Sequence, residues 1–327
     1  MAGAGLSEFE FIARLLRPLA SGVPGAEGLG DDTAHLKPPS GHEIVVTTDA
    51  LVCGVHFLAH HPPDLIARKA LRVNLSDLAA SGARPWTYQL ALALSDDIDD
   101  AWLAAFCNGL ARDQREFSID LTGGDTVSTP GPLTIAVTAL GLVPAGQSLH
   151  RAGAKPGDAV FVSGTIGDGA LGLRASEGKL AGAGAEDIAA LSDRYLLPRP
   201  RATLGARLRG LASACMDISD GLVGDLGHIC ARSAVAAVID VARMPLSEPA
   251  RRAIERDAAL LELAITGGDD YELLFAAPAS ERGAIATLAR EIGVPITEIG
   301  RIEAGAGVTA LRGGEPMSLT RTGYRHR

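Results

Sequence analysis

Residues 28–36 read GLGDDTAHL, and residues 43–57 read EIVVTTDALVCGVHF. The first segment places Asp31 and Asp32 side by side in a Gly-rich turn, and the second is a run of β-forming residues that ends at Asp49. The same pattern, an aspartate beside Gly, Ser or Thr after an apolar run, recurs at Asp77, Asp125, Asp217, Asp220, Asp269 and Asp270. A short carboxylate held close to the backbone is a typical ligand of hard divalent cations. We therefore predict a fold that gathers these turns around metal ions.

Size and composition limit the class of protein. A chain of 327 residues predicts two domains, and a hydrophobic content of 47% with 21% charged residues is typical of a soluble globular protein. The net charge of −9 and an aromatic content of 4% disfavour nucleic acid as a partner. No apolar run approaches the roughly 20 residues that cross a bilayer, so we expect no membrane insertion.

The cysteines indicate a reducing compartment. Cys53, Cys107, Cys215 and Cys230 form no CxxC motif, and we expect free thiols rather than a zinc site or a disulfide framework. The N-terminal segment carries Glu8 and Glu10 and lacks the basic region of a signal peptide. Together these features predict a cytoplasmic protein.

The hydrophobic pattern predicts mixed α/β structure, of the α/β or α+β class, in two domains covering residues 1–149 and 150–327. A capping box at Ser7 and Glu10 predicts a first helix that stops by Pro18. Further helices are predicted at 63–82, 99–115, from 169, and at 185–196, 201–211, 221–233, 248–263 and 280–292. Strands are predicted from 44 to 49 and at 86–94, 119–121, 133–143, 158–162, 216–218, 237–241, 271–276 and 296–302.

Two other motifs have competing interpretations. Gly167, Gly169 and Gly172 have the G-x-G-x-x-G spacing of a dinucleotide site, but the following region looks helical and lacks the second strand that such a site needs. We interpret them as a tight strand-to-helix turn. The sequence contains no phosphate-binding G-x-x-x-x-G-K-[ST] motif. Among the clustered histidines, His56 is the one we retain as a candidate site residue.

Seven aspartates in metal-compatible contexts favour a site for several Mg²⁺ ions, because, if they converge, their mutual repulsion would be severe without cations. They are Asp31, Asp32, Asp49, Asp77, Asp125, Asp217 and Asp220. Mg²⁺ held by carboxylates usually also binds substrate phosphates, which points to phosphoryl transfer.

Seven motifs taken together resemble the thiamine-monophosphate kinase family over almost the whole chain. They are GLGDDTA, TTDALVCGVHF, KALRVNLSDLAASGARP, GGDT, RAGAKPGD, MDISDGLVGDLGHI and GGDDYEL. The resemblance implies the two-domain aminoimidazole-ribonucleotide-synthetase-like fold, with an N-terminal domain that binds Mg²⁺ and ATP and forms a homodimer through its sheet, and a C-terminal α/β domain. It also implies the reaction of ATP with thiamine monophosphate to give thiamine diphosphate and ADP.

The resemblance implies roles for individual residues. The Mg²⁺ ligands would be Asp32, Thr47, Thr48, Asp49, Asp77, Asp125, Asp217 and Asp220. The ATP contacts would be Gly124, Asp125, Arg151 and Ser219. The acceptor contacts would be His56 and Asp269, with Arg321 or Tyr324 at the position where the family often has a stacking aromatic. We expect no general base, because the acceptor phosphate is already anionic at neutral pH.

Three positions depart from the family pattern. Asp269 stands where the family usually has Glu, Arg321 stands where an aromatic is common, and Cys107 replaces an aromatic in a helix of the first domain. Two alternative functions also stay open. One is another ATP-dependent synthetase of the same superfamily, of the selenophosphate or aminoimidazole ribonucleotide type. The other is a non-catalytic cation-binding scaffold.

Overall fold

The computed structural model describes residues 6–324. The chain divides into two compact units, the first made of Met1–Leu78 with Ala83–Gly146 and the second of Ala79–Gly82 with Gln147–Arg327. The predicted boundary between residues 149 and 150 lies three residues after Gly146. No helix among the described residues is long and apolar enough to cross a membrane.

The first unit contains one four-stranded sheet. Its strands are β1 (His42–Val52), β2 (Arg84–Leu94), β3 (Asp120–Ser128) and β4 (Thr134–Pro144), and its helices are α1 (Glu8–Phe11), α2 (Pro63–Ala80) and α3 (Asp100–Phe117). The strand order is β1-β4-β2-β3, so β1 and β3 form the two edges. Only the β2–β3 pairing is parallel among these strands.

The two faces of this sheet differ in burial. Ile135, Val137 and Ala139 occupy alternate positions of β4 and are fully buried. Alternate side chains of a strand point to the same face of the sheet, so this face is the covered one. The opposite face presents exposed apolar side chains at the edges, with Ile44 39% and Val46 58% exposed on β1 and Val127 50% exposed on β3.

The second unit contains a seven-stranded mixed sheet with the order β11-β10-β7-β9-β5-β8-β6. Its strands are β5 (Asp158–Ser163), β6 (Ala214–Asp217), β7 (Ala236–Asp240), β8 (Leu273–Pro278), β9 (Ile296–Glu303), β10 (Gly307–Arg312) and β11 (Glu315–Pro316). Its helices are α4 (Asp168–Ser176), α5 (Ala185–Leu196), α6 (Ala202–Leu208), α7 (Leu222–Ser233), α8 (Glu248–Arg256), α9 (Leu260–Thr266) and α10 (Arg282–Ile292).

Strand β5 is buried on both faces. Val160 and Val162 belong to one hydrophobic cluster, whereas Ala159 and Phe161 belong to another, where Phe161 stacks on Phe275 with ring centroids 5.2 Å apart. This double burial explains why the strand reads as a continuous apolar run rather than an alternating one.

Several predicted elements need correction. The capping box at Ser7 and Glu10 is present, but the first helix changes to a π-helix at Ile12–Leu16 and a 3₁₀ turn at Arg17–Ala20, which includes Pro18. Strand β1 continues three residues past Asp49, and β3 runs through GGDT because those residues pair with β2. The helix predicted at 248–263 is two helices, α8 and α9, and strands β10 and β11 were not predicted from sequence.

The predicted free thiols are confirmed for all four cysteines, which lie within the described residues. Cys107, Cys215 and Cys230 are buried, and Cys53 is partly exposed.

Candidate active site

The first group of predicted metal ligands lies where β1 faces α2. The Thr47 hydroxyl donates a hydrogen bond of 2.5 Å to Oδ2 of Asp77, and the backbone N–H of Asp49 donates one of 3.1 Å to Oδ1 of Asn74. The Asn74 amide in turn donates to the carbonyl of Ala70 one turn earlier. Side chains from one strand and one helix therefore form an oxygen-rich cluster.

The electrostatics of this cluster favour a cation. Burial, together with the nearby Asp77 carboxylate, raises the pKa of Asp49 to about 6. Two carboxylates and one hydroxyl can bind a metal only through oxygen atoms, which are the ligand atoms that Mg²⁺ prefers. A bound cation would relieve the repulsion between Asp49 and Asp77.

A second group lies on the opposite face of the same sheet. Thr48 Oγ1 is 2.9 Å from Thr138 Oγ1 across the β1–β4 pairing. Thr138 lines a cavity of about 680 Å³ together with Asp31, Asp32, Gly124 and Asp125. The carboxylates of the acidic turn and of the GGDT motif thus share one cavity.

Gly124 and His56 are held by local backbone constraints. Gly124 has a φ of 156°, and a Cβ atom there would lie 1.8 Å from the carbonyl oxygen of Leu90, so only glycine fits. His56 accepts a hydrogen bond of 3.0 Å from the backbone N–H of Val52 at its Nδ1 atom. This bond orients the imidazole beside the end of β1.

The first unit by itself does not bring the two groups together. Asp49 lies on edge strand β1 and Asp125 on edge strand β3, three strand spacings apart. At about 4.8 Å per spacing, about 14 Å separates their backbones. Within the described part of the chain, no three His, Cys, Asp or Glu side chains form a group arranged to hold a metal ion. The convergence of the whole ligand set therefore stays a prediction.

In the second unit, Asp217 is the last residue of β6, and Ser219 and Asp220 lie in the turn between β6 and α7. The Asp225 carboxylate, which is 1% exposed, accepts hydrogen bonds from the N–H groups of Ser219, Asp220 and Gly221 at 3.1, 3.1 and 3.0 Å. Burial raises the pKa of Asp225 to about 7, and these N–H donors oppose that shift.

The GGDD turn packs directly on that turn. The Asp269 N–H donates to the Ser219 carbonyl at 3.0 Å, and the Tyr271 N–H donates to the Ile218 carbonyl at 2.8 Å. A Cβ atom at Gly268 would lie 2.0 Å from the Ser219 carbonyl oxygen, so the second glycine of the motif permits this approach. Asp269, the predicted acceptor contact, therefore lies beside Ser219, the predicted nucleotide contact.

The remaining site residues of this unit lie near the same two turns. The Tyr324 N–H donates to the Asp220 carbonyl at 2.9 Å, and Arg321 Nε donates to Thr266 Oγ1 at 3.3 Å. The exposed Arg151 follows His150, whose carbonyl accepts from the Cys215 N–H on β6 at 2.8 Å. Both Tyr324 and Arg321 therefore lie against the end of the unit that carries Asp220 and Asp269.

Comparison with known proteins gives the family. The AIR synthase related protein N-terminal domain matches residues 30–143, and the corresponding C-terminal domain matches residues 155–312. The thiamine-monophosphate kinase of Caulobacter vibrioides is 44% identical over 328 residues, which cover 99% of this chain and 92% of that protein. The chain belongs to the thiamine-monophosphate kinase family.

Solved structures of thiamine-monophosphate kinases share the fold. The enzyme of Stenotrophomonas maltophilia K279a has a TM-score of 0.80 at 46% identity, over 88% of this chain and 91% of that chain. AaThiL complexed with AMPPCP and TMP has a TM-score of 0.78 at 32% identity, over 98% and 97% of the two chains. The mixed α/β architecture with two domains of the AIR synthase type is therefore confirmed.

In this member of the thiamine-monophosphate kinase family, two buried aspartates without a predicted role contact the predicted site turns. Asp225 received no role from sequence, although it stands in MDISDGLVGDLGHI beside predicted ligands. Asp270, 1% exposed, accepts from the N–H groups of Gly167 and Gly169 at 2.7 and 2.9 Å. The glycine motif is thus the predicted strand-to-helix turn, and its strand β5 pairs antiparallel with both neighbours, unlike a dinucleotide-binding strand.

Proposed function

We propose that the protein transfers the γ-phosphoryl group of ATP to thiamine monophosphate and releases thiamine diphosphate and ADP. The observation that carries the proposal is the near full-length identity of 44% to a thiamine-monophosphate kinase. The AMPPCP and TMP of the AaThiL complex correspond to the nucleotide and the acceptor of this reaction.

We further propose that the reaction needs several Mg²⁺ ions and proceeds by direct in-line transfer. The residues that would hold the ions are Asp32, Thr47, Thr48, Asp49, Asp77, Asp125, Asp217 and Asp220. The support is the set of oxygen ligands at β1 and α2, where burial and then the nearby Asp77 carboxylate raise the pKa of Asp49. Bound Mg²⁺ would neutralise charge on the two phosphate esters, the main requirement of phosphoryl transfer.

The roles of the protein's own side chains follow from their chemistry. The planar guanidinium of Arg151 suits phosphate oxygens in a bidentate fashion, so we assign it to the nucleotide phosphates with Gly124, Asp125 and Ser219. His56 and Asp269 would hold the acceptor, assisted by Arg321 or Tyr324. No general base is required, because the second pKa of a phosphate ester is about 6 and its oxygen is anionic at pH 7.

We also propose that the protein acts as a homodimer whose interface is the uncovered face of the first sheet. Ile44, Val46 and Val127 expose apolar side chains on that face. Asp49 and Asp125 lie on opposite edge strands, so a second copy whose β1 edge lies beside the β3 edge of the first is the simplest way to bring an Asp49 near an Asp125. The free cysteine thiols support a cytoplasmic location.

One assay tests the reaction. Pure protein is incubated with ATP, Mg²⁺ and thiamine monophosphate, and thiamine diphosphate and ADP are quantified. We expect equal amounts of both products, and none when Mg²⁺ is replaced by excess chelator. If ADP forms only with a different acceptor, the protein is another synthetase of the superfamily; if nucleotide does not bind, it is a cation-binding scaffold.

A further inference from the structure

The turn at Ser219–Gly221 has almost no backbone group left for a ligand. Its three N–H groups donate to the Asp225 carboxylate. The Ser219 carbonyl accepts from the Asp269 N–H, the Asp220 carbonyl from the Tyr324 N–H, and the Gly221 carbonyl from the Asp225 N–H. The polar groups of this turn that a ligand can use are therefore the Ser219 hydroxyl and the Asp220 carboxylate.

This arrangement differs from the usual anion site at the start of a helix. Three consecutive N–H groups before a helix normally attract a phosphate. Here an internal carboxylate occupies that position, since Asp225 lies in the first turn of α7. The turn is thus built to present two side chains at a fixed position rather than to bind phosphate with its backbone.

Asp270 binds backbone N–H groups beside Asp269 in the same way as Asp225 does beside Asp220. Its carboxylate accepts from the Gly167 and Gly169 N–H groups, which ties the GGDD turn to the turn between β5 and α4. A Cβ atom at Gly169 would lie 2.2 Å from the carbonyl oxygen of Asp269, so these two turns are in close backbone contact. Asp269 is therefore held on both sides. Its own N–H donates to the Ser219 carbonyl, and the next residue, Asp270, is bound to the N–H groups of Gly167 and Gly169.

We propose that the buried carboxylates of Asp225 and Asp270 are positioning residues for this kinase. Asp225 fixes Ser219 and Asp220 for the nucleotide and its cations, and Asp270 fixes Asp269 for the acceptor. This inference rests on the proposed function. It predicts that the two aspartates act on different substrates although both are buried in the same unit.

The test compares Asp225→Asn and Asp270→Asn with the wild type in steady-state kinetics. Asn keeps one acceptor oxygen and nearly the same volume but removes the charge that the N–H donors stabilise. We expect Asp225→Asn to raise KM for ATP and the Mg²⁺ concentration needed for half-maximal rate by at least about tenfold. We expect Asp270→Asn to raise KM for thiamine monophosphate by a similar factor, with a smaller change for ATP.

A matched control is Asp187→Asn in the same unit. Asp187 is 5% exposed, and its carboxylate binds the Arg252 and Arg256 side chains on α8. This variant should leave both KM values unchanged even if its free energy of unfolding falls. A nucleotide titration by calorimetry, with and without Mg²⁺, gives a readout that is independent of turnover. Of the three variants, only Asp225→Asn should bind nucleotide more weakly in the presence of Mg²⁺.

The outcomes separate the two proposals. A wild-type protein that forms no thiamine diphosphate refutes the proposed function. An active wild type whose Asp225→Asn and Asp270→Asn variants lose stability but keep both KM values refutes the positioning roles. If Asp225→Asn does not fold, Gly268→Ala is the alternative test, because its Cβ atom would displace the Ser219 carbonyl while the Asp225 carboxylate stays intact. Unchanged KM values in a folded Gly268→Ala protein would overturn the inference.

Discussion

Asp269 adopts a left-handed backbone conformation, with φ at 70°. Aspartate tolerates this region better than longer side chains do, because its short carboxylate can bond locally. The resemblance implies Glu at this position, and the aspartate of this chain suits the left-handed conformation better.

Asp77 provides a prediction about activity. Asp77→Asn should keep an oxygen that accepts from the Thr47 hydroxyl, but it removes the negative charge beside Asp49. We expect kcat to fall about 10- to 100-fold at saturating substrates, with an unchanged circular dichroism spectrum. Asp64→Asn on the same helix, whose carboxylate pairs with the exposed Arg112, is the control and should retain wild-type kcat. Wild-type turnover in Asp77→Asn would remove this residue from the site.

His61 provides a prediction about pH. Burial, with His60 and Lys69 nearby, lowers the pKa of this 5%-exposed imidazole to about 4 in the folded protein, against about 6.5 when unfolded. The unfolded state therefore binds the extra proton first, and the contribution of neutral His61 to stability is complete above pH 6.5 and is lost as the pH falls toward 4.

The measurement is urea unfolding of the wild type and His61→Asn between pH 4 and 7.5. Asn can still accept the Leu58 N–H bond that His61 Nδ1 accepts at 3.1 Å. The wild-type free energy of unfolding should decrease more steeply below pH 6.5, by up to about 1.4 kcal/mol per pH unit. Parallel curves for the two proteins would contradict the prediction.

At the scale of elements, a buried ion cluster joins α2 to α3. The fully buried Asp113 carboxylate accepts from Arg68 at 2.7 Å and from Arg72 at 2.6 Å, and Glu116, half exposed, accepts from the same two arginines. The Arg72 guanidinium also lies 4.9 Å from the centroid of the Phe117 ring. These contacts fix the helix that carries Asn74 and Asp77 against the rest of the first unit.

The two acidic partners should differ in their effect on stability. Asp113→Asn leaves two buried or half-buried arginines without their central counter-charge and should lower the free energy of unfolding by about 3–5 kcal/mol. Glu116→Gln, with the same partners but half of its side chain in water, should cost about 1 kcal/mol or less. Urea unfolding measures the free energy of unfolding of both variants. Equal decreases would show that burial does not determine how much each carboxylate contributes to stability.

At the scale of the whole molecule, the proposed dimer makes a prediction about mixed oligomers. If each site takes Asp49 from one copy and Asp125 from the other, a heterodimer of Asp49→Asn and Asp125→Asn contains one intact site and one site with both substitutions. Random mixing of the two inactive variants should then restore about a quarter of the wild-type activity. Mixed samples without recovered activity would place both residues in sites made by a single chain.

Much of this architecture could be predicted from sequence. The capping box at Ser7 and the strand-to-helix turn at Gly167 follow from local rules of backbone conformation. Strands β10 and β11 were missed because they are short and flanked by glycines, which gives a weak signal, and pairing with β7 stabilises β10. The split between α8 and α9 was missed because residues 257–259 carry no strong helix breaker.

The family, the two-domain α/β class and the residue types that can bind cations follow from the amino-acid sequence alone, because they depend on the order and spacing of motifs along the chain. The folded structure was needed to show that Asp49 and Asp125 lie on opposite edges of one sheet and that Asp225 and Asp270 accept hydrogen bonds from backbone N–H groups of neighbouring turns. Those relations depend on strand order and on hydrogen bonds between segments as far apart as Gly167 and Asp270, which local sequence patterns do not encode.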